Sequence, residues 1–275
     1  MPKKIKKMKL QPLNVAISKI SAKTPIGAAL KSAEWENVPL ALRERAQFSA
    51  RVESARVLTT IQDKLQKRIG MIKEQVAHGE AGVDRSSFIG DLRKIAQEEG
   101  LGDGSGRITD ISSAPRLGLI FDFQTQQAAE YARYVTGQDR DLLDAYPAQE
   151  LLRVEERSAK RDWRRRWIAA GGHIYGGRMI ALKTDPVWIG VSRFGTPYPP
   201  FDFGSGMGVE DVSREDAEAL GVIPAGARVE PNLKNFNAGM EASARGLPDE
   251  LLGKLMSAFG DQVALVAGKL KWSGQ

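Results

Sequence analysis

The chain of 275 residues contains no cysteine and only two histidines, His78 and His173. Without cysteine it can form no disulfide, no thiolate zinc site, no iron–sulfur cluster and no cysteine nucleophile. Two histidines also exclude a metal site that is built from three histidine ligands. The sequence therefore predicts neither a bound metal ion nor a cofactor.

Long apolar runs are also missing. No segment approaches the roughly 18–20 apolar residues that a membrane span needs. Residues 1–10 resemble the basic start of a signal peptide, but Gln11, Pro12 and Asn14 interrupt any apolar stretch behind them. We therefore expect no membrane partner, and a protein that stays in the cytoplasm where it is made.

The chain has 40 Lys and Arg against 34 Asp and Glu, a net charge of +6. One concentration of positive charge lies in residues 1–24, which we interpret as a basic flexible arm. Such an arm is either a solvated terminus or a contact to nucleic acid, because the release of counterions needs clustered cations and no fold. The candidate DNA contacts in the arm are Lys3, Lys4, Lys6 and Lys7.

Apolar residues recur at steps of three and four between Pro39 and Val76, which predicts an amphipathic helix of more than thirty residues. At 1.5 Å per residue this helix would be roughly 50 Å long. It would have to bend or pack against another subunit, and we favour a homo-oligomer formed through it. Shorter helices are predicted over residues 83–99, 115–134, 213–220 and 247–270, with Ser213 as the N-cap of the third.

Short strands are predicted over residues 151–154, 173–175 and 179–182, among many glycines and prolines. The predicted fold class is α+β, with a mostly helical N-terminal half followed by a small, loop-rich α+β unit. Four regions follow from this pattern: the arm (1–24), a helical region (25–145), the α+β unit (146–222) and a helical C-terminal extension (223–275).

The second concentration of positive charge is the segment 151–178, which holds eight basic residues and three acidic ones. Trp163 and Trp167 are four residues apart, so a helix would place both on one face. Two interpretations remain open: the arginines and tryptophans bind phosphates and bases, or the tryptophans anchor a core and the arginines are solvated. The candidate DNA contacts here are Arg161, Arg164, Arg165 and Arg166.

Aromatic residues in and after this segment are candidates for an interface with a partner protein. The loop 199–208 combines two prolines, two phenylalanines and three glycines, a composition typical of a loop of fixed shape. Such a loop either caps a core or presents an interface. The candidates are Trp163, Trp167, Trp188, Tyr198, Phe201 and Phe203.

An enzyme would need an acid–base arrangement. Glu155, Glu156, Asp162 and His173 lie near one another in the sequence, as in a nuclease or a toxin-like hydrolase that acts on nucleic acid. Their spacing matches no metal-ligand signature, and no nucleophile elbow or dinucleotide-binding motif is present. We therefore expect no catalytic residues.

Several motifs in a fixed order resemble the minor head, or head morphogenesis, proteins of tailed bacteriophages, the Mu F-like group. They are Arg116, Leu117, Ile120 and Asp122 in a helix; Tyr146 and Pro147 before a strand; Gly177, Arg178 and Met179; Asp185, Pro186 and Trp188; and Pro199 with Pro200. Members of this family commonly have a histidine after the first strand and cysteines after the double proline. This chain has neither, so a metal or thiol role of those positions does not transfer.

The resemblance implies a non-enzymatic, low-copy protein of a phage or prophage that assists virion head assembly and DNA packaging at or near the portal. Its implied partners are the portal or other head proteins and, as an accessory contact, double-stranded DNA. Its implied locations are the cytoplasm of the host bacterium and then the virion head. Two alternatives remain from the residues themselves: a nuclease or toxin-like hydrolase, and a basic DNA-binding module.

Overall fold

The structure is a computed structural model that describes residues 11–27, 30–43, 46–47, 52–78, 85–157, 160–232, 241–244 and 247–272. These residues form two compact units, whose boundaries fall after residues 15, 125 and 234. We call residues 126–232, with residues 11–15, the sheet unit. We call residues 16–125, with residues 241–272, the helical unit.

The elements are as follows in chain order. The first are α1 (Gln11–Ser21), β1 (Thr24–Pro25), α2 (Ser32–Glu36), α3 (Leu40–Arg43), β2 (Ala46–Gln47), α4 (Ala55–His78), α5 (Arg85–Glu98), α6 (Ala114–Gly137) and α7 (Arg140–Ala145). Then come β3 (Ala148–Arg153), α8 (Trp163–Ala169), β4 (Ile174–Tyr175), β5 (Arg178–Leu182), α9 (Val187–Val191), β6 (Met207–Val212) and α10 (Arg214–Ala219). The last are β7 (Glu241–Ser243), α11 (Asp249–Phe259), a 3₁₀ turn (Gly260–Gln262), β8 (Val263–Val266) and β9 (Lys269–Trp272). The predicted α+β fold class is confirmed.

The long helix is shorter than predicted. Helix α4 has 24 residues and begins at Ala55, where Ser54 precedes it and accepts a hydrogen bond from the Val57 N–H through its hydroxyl. Upstream, α3 is helical, but Ala46–Gln47 form β2, which pairs in parallel with β1 and interrupts the predicted helix. Long-range strand pairing overrides a local helical period, because it supplies the backbone hydrogen bonds that the helix would otherwise make.

The first part of the apolar stripe of α4, up to Leu65, is buried within the helical unit. Leu58, Ile61 and Leu65 have no exposed surface, and Phe88 and Leu92 of α5 are buried as well. Gln62, on the same helix, donates hydrogen bonds to the carbonyl oxygens of Ile20 (2.7 Å) and Lys23 (2.6 Å). This part of the stripe is therefore not available to a second subunit. A homo-oligomer formed through the rest of α4 stays a prediction.

The predicted C-terminal helix ends halfway. Helix α11 stops at Gly260, whose φ of +52° favours glycine, and the chain continues as the hairpin β8–β9. Its turn residues Ala267 and Gly268 both have positive φ (+51° and +72°), as a two-residue hairpin turn requires. The order of this sheet is β7-β9-β8. A helical extension over residues 223–275 is therefore corrected to one helix and a small sheet.

The sheet unit is built on an antiparallel sheet with the strand order β4-β5-β3-β6. The predicted strands correspond to β3, β4 and β5, whereas β6 was not predicted. One face carries Leu151, Ala181 and Val209 with the tryptophans, and the other carries Ala148, Ile180 and Val212 under α10. The predicted cap of α10 is confirmed, since the Ser213 hydroxyl accepts the Asp216 N–H at 3.1 Å.

The division of the chain differs from the predicted regions. The arm was expected to be loose up to residue 24, but α1 spans Gln11–Ser21, and residues 1–10 lie outside the described part. A seam was expected near residues 145–150, whereas the boundary between the units falls within α6 and residues 241–272 return to the helical unit. None of the helices that the structure describes has the length and apolar character that crossing a bilayer requires.

Candidate functional site

Three tryptophans and a phenylalanine form the centre of the sheet unit. Trp167 of α8 meets Trp188 of α9 edge to face, with ring centroids 5.0 Å apart, and Trp188 stacks on Phe201 at 6.0 Å. The indole N–H of Trp167 donates to the His173 carbonyl, and that of Trp188 donates to the Leu182 carbonyl, both at 2.8 Å. Buried indoles with satisfied N–H groups are core anchors.

This arrangement corrects the aromatic interface candidates. Five of the six are at most 3 % exposed and lie in the core: Trp163, Trp167, Trp188, Tyr198 and Phe201. A partner could not reach their rings without unfolding the unit. Phe203 alone among them is partly exposed. The loop that carries Phe201 and Phe203 therefore caps the core, which is one of the two roles expected for it.

Helix α8 separates its arginines into two classes. Asp162 caps the helix by accepting the Arg165 N–H at 2.9 Å, and Trp163 and Trp167 fix the buried face. Arg164 and Arg165 are exposed on the opposite side, and no residue in the described part of the chain forms a hydrogen bond or an ion pair with either side chain. These two cations are available to an acidic partner.

Arg166 belongs to a cluster around Asp202, a carboxylate whose side chain is only 6 % exposed. Arg166 Nη1 lies 3.0 Å from Asp202 Oδ2, Arg161 Nε lies 3.6 Å from the same oxygen, and Arg193 Nη1 lies 3.5 Å from Oδ1. The Phe203 N–H also donates to Oδ1 at 2.8 Å. Three guanidinium groups thus share one buried carboxylate.

The aromatic rings hold this arginine cluster in place. The Arg166 guanidinium lies 4.9 Å from the Trp163 ring centroid, and the Arg193 guanidinium lies 5.9 Å from that of Phe203. Arg161 also donates to the Phe203 carbonyl at 2.9 Å. Of the four arginines predicted to contact DNA, the structure therefore gives Arg161 and Arg166 a bridging role in the fold and leaves Arg164 and Arg165 open.

Most other basic residues of segment 151–178 are paired. Arg157 pairs with Glu155, Lys160 with Glu156 at 2.7 Å, and Arg178 with Glu150 at 2.6 Å. The lysine candidates of the arm, Lys3, Lys4, Lys6 and Lys7, lie outside the described residues. Among the described residues of this segment, the positive charge available to a partner is thus concentrated on Arg164 and Arg165, with the half-exposed Arg161 beside them.

The residues considered for an enzyme have structural roles. Glu155 and Glu156 are paired with neighbouring cations, Asp162 caps α8, and the His173 ring lies edge to face with Tyr175, with centroids 6.3 Å apart. Within the described residues, no group of three histidine, aspartate or glutamate side chains is arranged to hold a metal ion.

Asp202 and Arg193 were not singled out from the sequence. Asp202 lies between two phenylalanines in a proline-rich loop, and a lone acid among aromatic residues is a signal of a buried, paired charge. Its partners lie 9, 36 and 41 positions away along the chain, so only the folded loop could identify them.

No protein-family profile, curated protein or solved structure matches this chain. The resemblance to minor head proteins therefore rests on the residues quoted for it.

Proposed function

We propose that this protein is a non-enzymatic minor head protein of a tailed bacteriophage or prophage. It acts in head morphogenesis at or near the portal, binds portal or other head proteins, and contacts packaged DNA as an accessory function. It is made in the cytoplasm of the host bacterium and becomes part of the virion head.

The observation that carries the proposal is that most motifs of the resemblance have defined roles in one folded unit. Asp185 begins α9 by accepting the Val187 N–H at 2.8 Å, and Trp188 then enters the core. Arg178 joins β5 to β3 through Glu150, and Pro200 leads into the buried Phe201. Motif residues that are far apart in the sequence thus stabilise the same folded unit. This is expected of motifs that a protein family shares.

DNA contact is supported by the arginines on and beside α8. Arg164 and Arg165 project from one exposed face, and the half-exposed Arg161 lies just before them in the chain. Clustered arginines bind phosphates by charge and by bidentate hydrogen bonds, and base sequence is not read in this way. We expect binding that is strongly salt-dependent and indifferent to sequence.

The test is a search for the protein in purified heads and assembly intermediates of the phage or prophage that encodes it. We expect it to be present at low copy number and to co-purify with the portal protein. Deleting its gene should lower the yield of filled heads. Wild-type protein should restore the yield, whereas Trp188→Ala should not, since removing a buried tryptophan costs about 3–5 kcal/mol. Absence from both heads and intermediates would overturn the proposal.

A nuclease assay separates the proposal from the enzymatic alternative. Purified protein should leave double-stranded DNA, single-stranded DNA and RNA intact with and without Mg²⁺. Cleavage that disappears in His173→Ala or Glu155→Ala would replace the assembly function with a catalytic one.

A further inference from the structure

A polar cleft lies within the sheet unit, at one end of the sheet face that carries the tryptophan core. Its cavity volume is about 30 Å³, which is room for roughly two water molecules or for the end group of a ligand whose remainder lies outside. The second half of α6 forms one wall, and β3, β6 and the segment 197–199 form the others. The cleft shares Tyr198 and Val209 with the core, and none of the clustered arginines lines it.

A buried lysine lies in the cleft. Lys183 is 6 % exposed, and its Nζ lies 3.1 Å from Asp211 Oδ1. Asp211 also faces Arg133, whose Nη2 is 3.6 Å away and whose Nη1 donates to the Val209 carbonyl at 2.6 Å. In the described part of the chain, Lys183 and Arg133 have only this one carboxylate within ion-pair distance. Glu130 also lines the cleft, so its two cations face two carboxylates.

Lys183 also retains hydrogen-bonding capacity. Its ammonium has three N–H groups, and Asp211 accepts one of them. Burial lowers the pKa of Lys183, and the charge of Asp211 opposes that shift only in part. An additional anion in the cleft would stabilise the charged ammonium.

Two carboxamides lie beside the lysine. Gln149 is 8 % exposed and lines the cleft, and its side-chain amide makes no hydrogen bond to any residue that the structure describes. Gln138 is 2 % exposed, and its Oε1 accepts the Asn232 N–H at 2.9 Å, so its NH₂ group remains a donor. Both amides can donate to a ligand with acceptor oxygens.

We infer that this cleft binds a carboxylate group, with Lys183, Gln149 and Gln138 as donors and Arg133 at its side. A carboxylate would bring one negative charge against Asp211 and Glu130, whereas a phosphate dianion would bring two. The carboxylate comes either from a small free acid or from a partner polypeptide, as an Asp or Glu side chain or a chain terminus. This inference does not depend on the proposed function.

Glu130 opposes the ligand and therefore provides a test of its charge. It lines the cleft on α6, and burial raises the pKa of its carboxyl, with the charge of Arg133 acting in the other direction. Removing its negative charge should strengthen the binding of an anion and weaken the binding of a cation. Glu130→Gln therefore distinguishes the two ligand classes without disturbing the donors.

The experiment is a titration of the full-length protein with sodium acetate, followed by NMR at the side-chain NH₂ resonances of Gln149 and Gln138, with sodium chloride at equal ionic strength as the reference. We expect saturable shifts with acetate only. Lys183→Met and Gln149→Leu should each weaken binding about tenfold or more, since each removes hydrogen bonds to a charged group. Glu130→Gln should strengthen it, and Lys160→Met, a change at an exposed lysine, should leave it unchanged.

A second titration identifies the source of the carboxylate. It uses N-acetyl-glutamate and a short peptide with a free C-terminus, each beside its amidated form. A peptide that binds at least tenfold more tightly than acetate, and loses this on amidation, assigns the cleft to a partner chain. Equal affinities assign it to a small acid. Shifts that do not saturate, or that Glu130→Gln weakens, would overturn the inference even if Lys183→Met fails to fold.

Discussion

At the scale of a single residue, Asp202 shows how one buried acid holds several arginines of the sheet unit in place. Its carboxylate is buried, yet it meets three arginines and one backbone N–H. A carboxylate in such a place is stable only because its oxygens are paired. The same contacts orient Arg161 and Arg193 at the surface, so one buried acid positions cations that remain half exposed.

Replacing Asp202 by Ala should destabilise the sheet unit. The arginines would lose their common acceptor, and we expect a loss of about 3 kcal/mol in the free energy of unfolding, measured by urea denaturation. Glu156→Gln, which removes an exposed acid paired with Lys160, should change the free energy of unfolding far less, because solvent screens an exposed ion pair. Equal losses in the two variants would show that Asp202 does not organise the cluster.

Glu130 predicts a pH dependence of stability. Its pKa is raised in the folded protein above the ordinary value of 4.5. The folded state therefore binds more protons than the unfolded state between these two values, and the contribution of Glu130 to stability is lost as the pH rises through the folded pKa. Glu130→Gln should raise the free energy of unfolding at about pH 7 and change it little at about pH 4.

Glu156 serves as the control of opposite sign. The hydrogen bond from Lys160 lowers the pKa of Glu156, so its contribution is present at neutral pH and is lost as the pH falls. Urea denaturation across this range should give opposite trends for Glu130→Gln and Glu156→Gln. Parallel trends would contradict the assignment of Glu130 to a desolvated site.

At the scale of elements, strand β6 depends on the turn before it. Gly206 has a φ of +64°, and a Cβ there would lie 2.3 Å from the Glu155 carbonyl oxygen. The Gly206 carbonyl in turn accepts the N–H groups of Val154 and Glu155, at 2.9 and 3.1 Å. This close approach extends the pairing of β3 with β6 beyond Met207, and only glycine permits it.

Gly206→Ala should therefore cost more than Gly204→Ala. Both positions have positive φ, but a Cβ at Gly204 meets nothing within 4 Å. We expect a loss of about 1–2 kcal/mol at Gly204 from backbone strain, and about 1–3 kcal/mol more at Gly206 from the clash. Urea denaturation measures both, and equal losses would show that the turn can move away from β3.

At the scale of the whole molecule, only part of the positive charge behind the net +6 is open to a partner. Pairing with neighbouring acids occupies much of the basic segment, whereas Arg164 and Arg165 face solvent. Binding of DNA through phosphates depends on the number of cations that reach them, and the total charge of the chain matters less. The accessory DNA contact proposed here can therefore be tested with two residues.

Replacing Arg164 and Arg165 together by Gln should lower the slope of log affinity for DNA against log salt concentration by about 2, at close to 0.9 per phosphate contact. The matched control replaces Arg140 and Arg178, which pair with Glu230 and Glu150, and so removes the same charge elsewhere. Fluorescence anisotropy with labelled duplex DNA measures the slope. If the control lowers the slope equally, net charge and not the α8 face determines binding.

The sequence by itself determined the features that depend on near neighbours. The α+β class, the helices α5, α6 and α10 with the Ser213 cap, and the strands β3 to β5 all follow from local periodicity and capping chemistry. The four-residue spacing of Trp163 and Trp167 also placed both on one face, where the structure buries them. Local patterns are sufficient here because the apolar periodicity and the capping residues of these elements lie within the elements or next to them.

Only the tertiary structure decided the rest, because it depends on pairs that are distant in the chain. Residues 241–272 return to the helical unit, where Lys254 reaches Glu34 at 2.7 Å across 220 positions. The position of Asp202 determines which arginines are held in ion pairs, and β6 places Asp211 beside Lys183 in the cleft. A sequence pattern contains no record of such partners, since the energy of a buried charge depends on the groups around it in the folded chain.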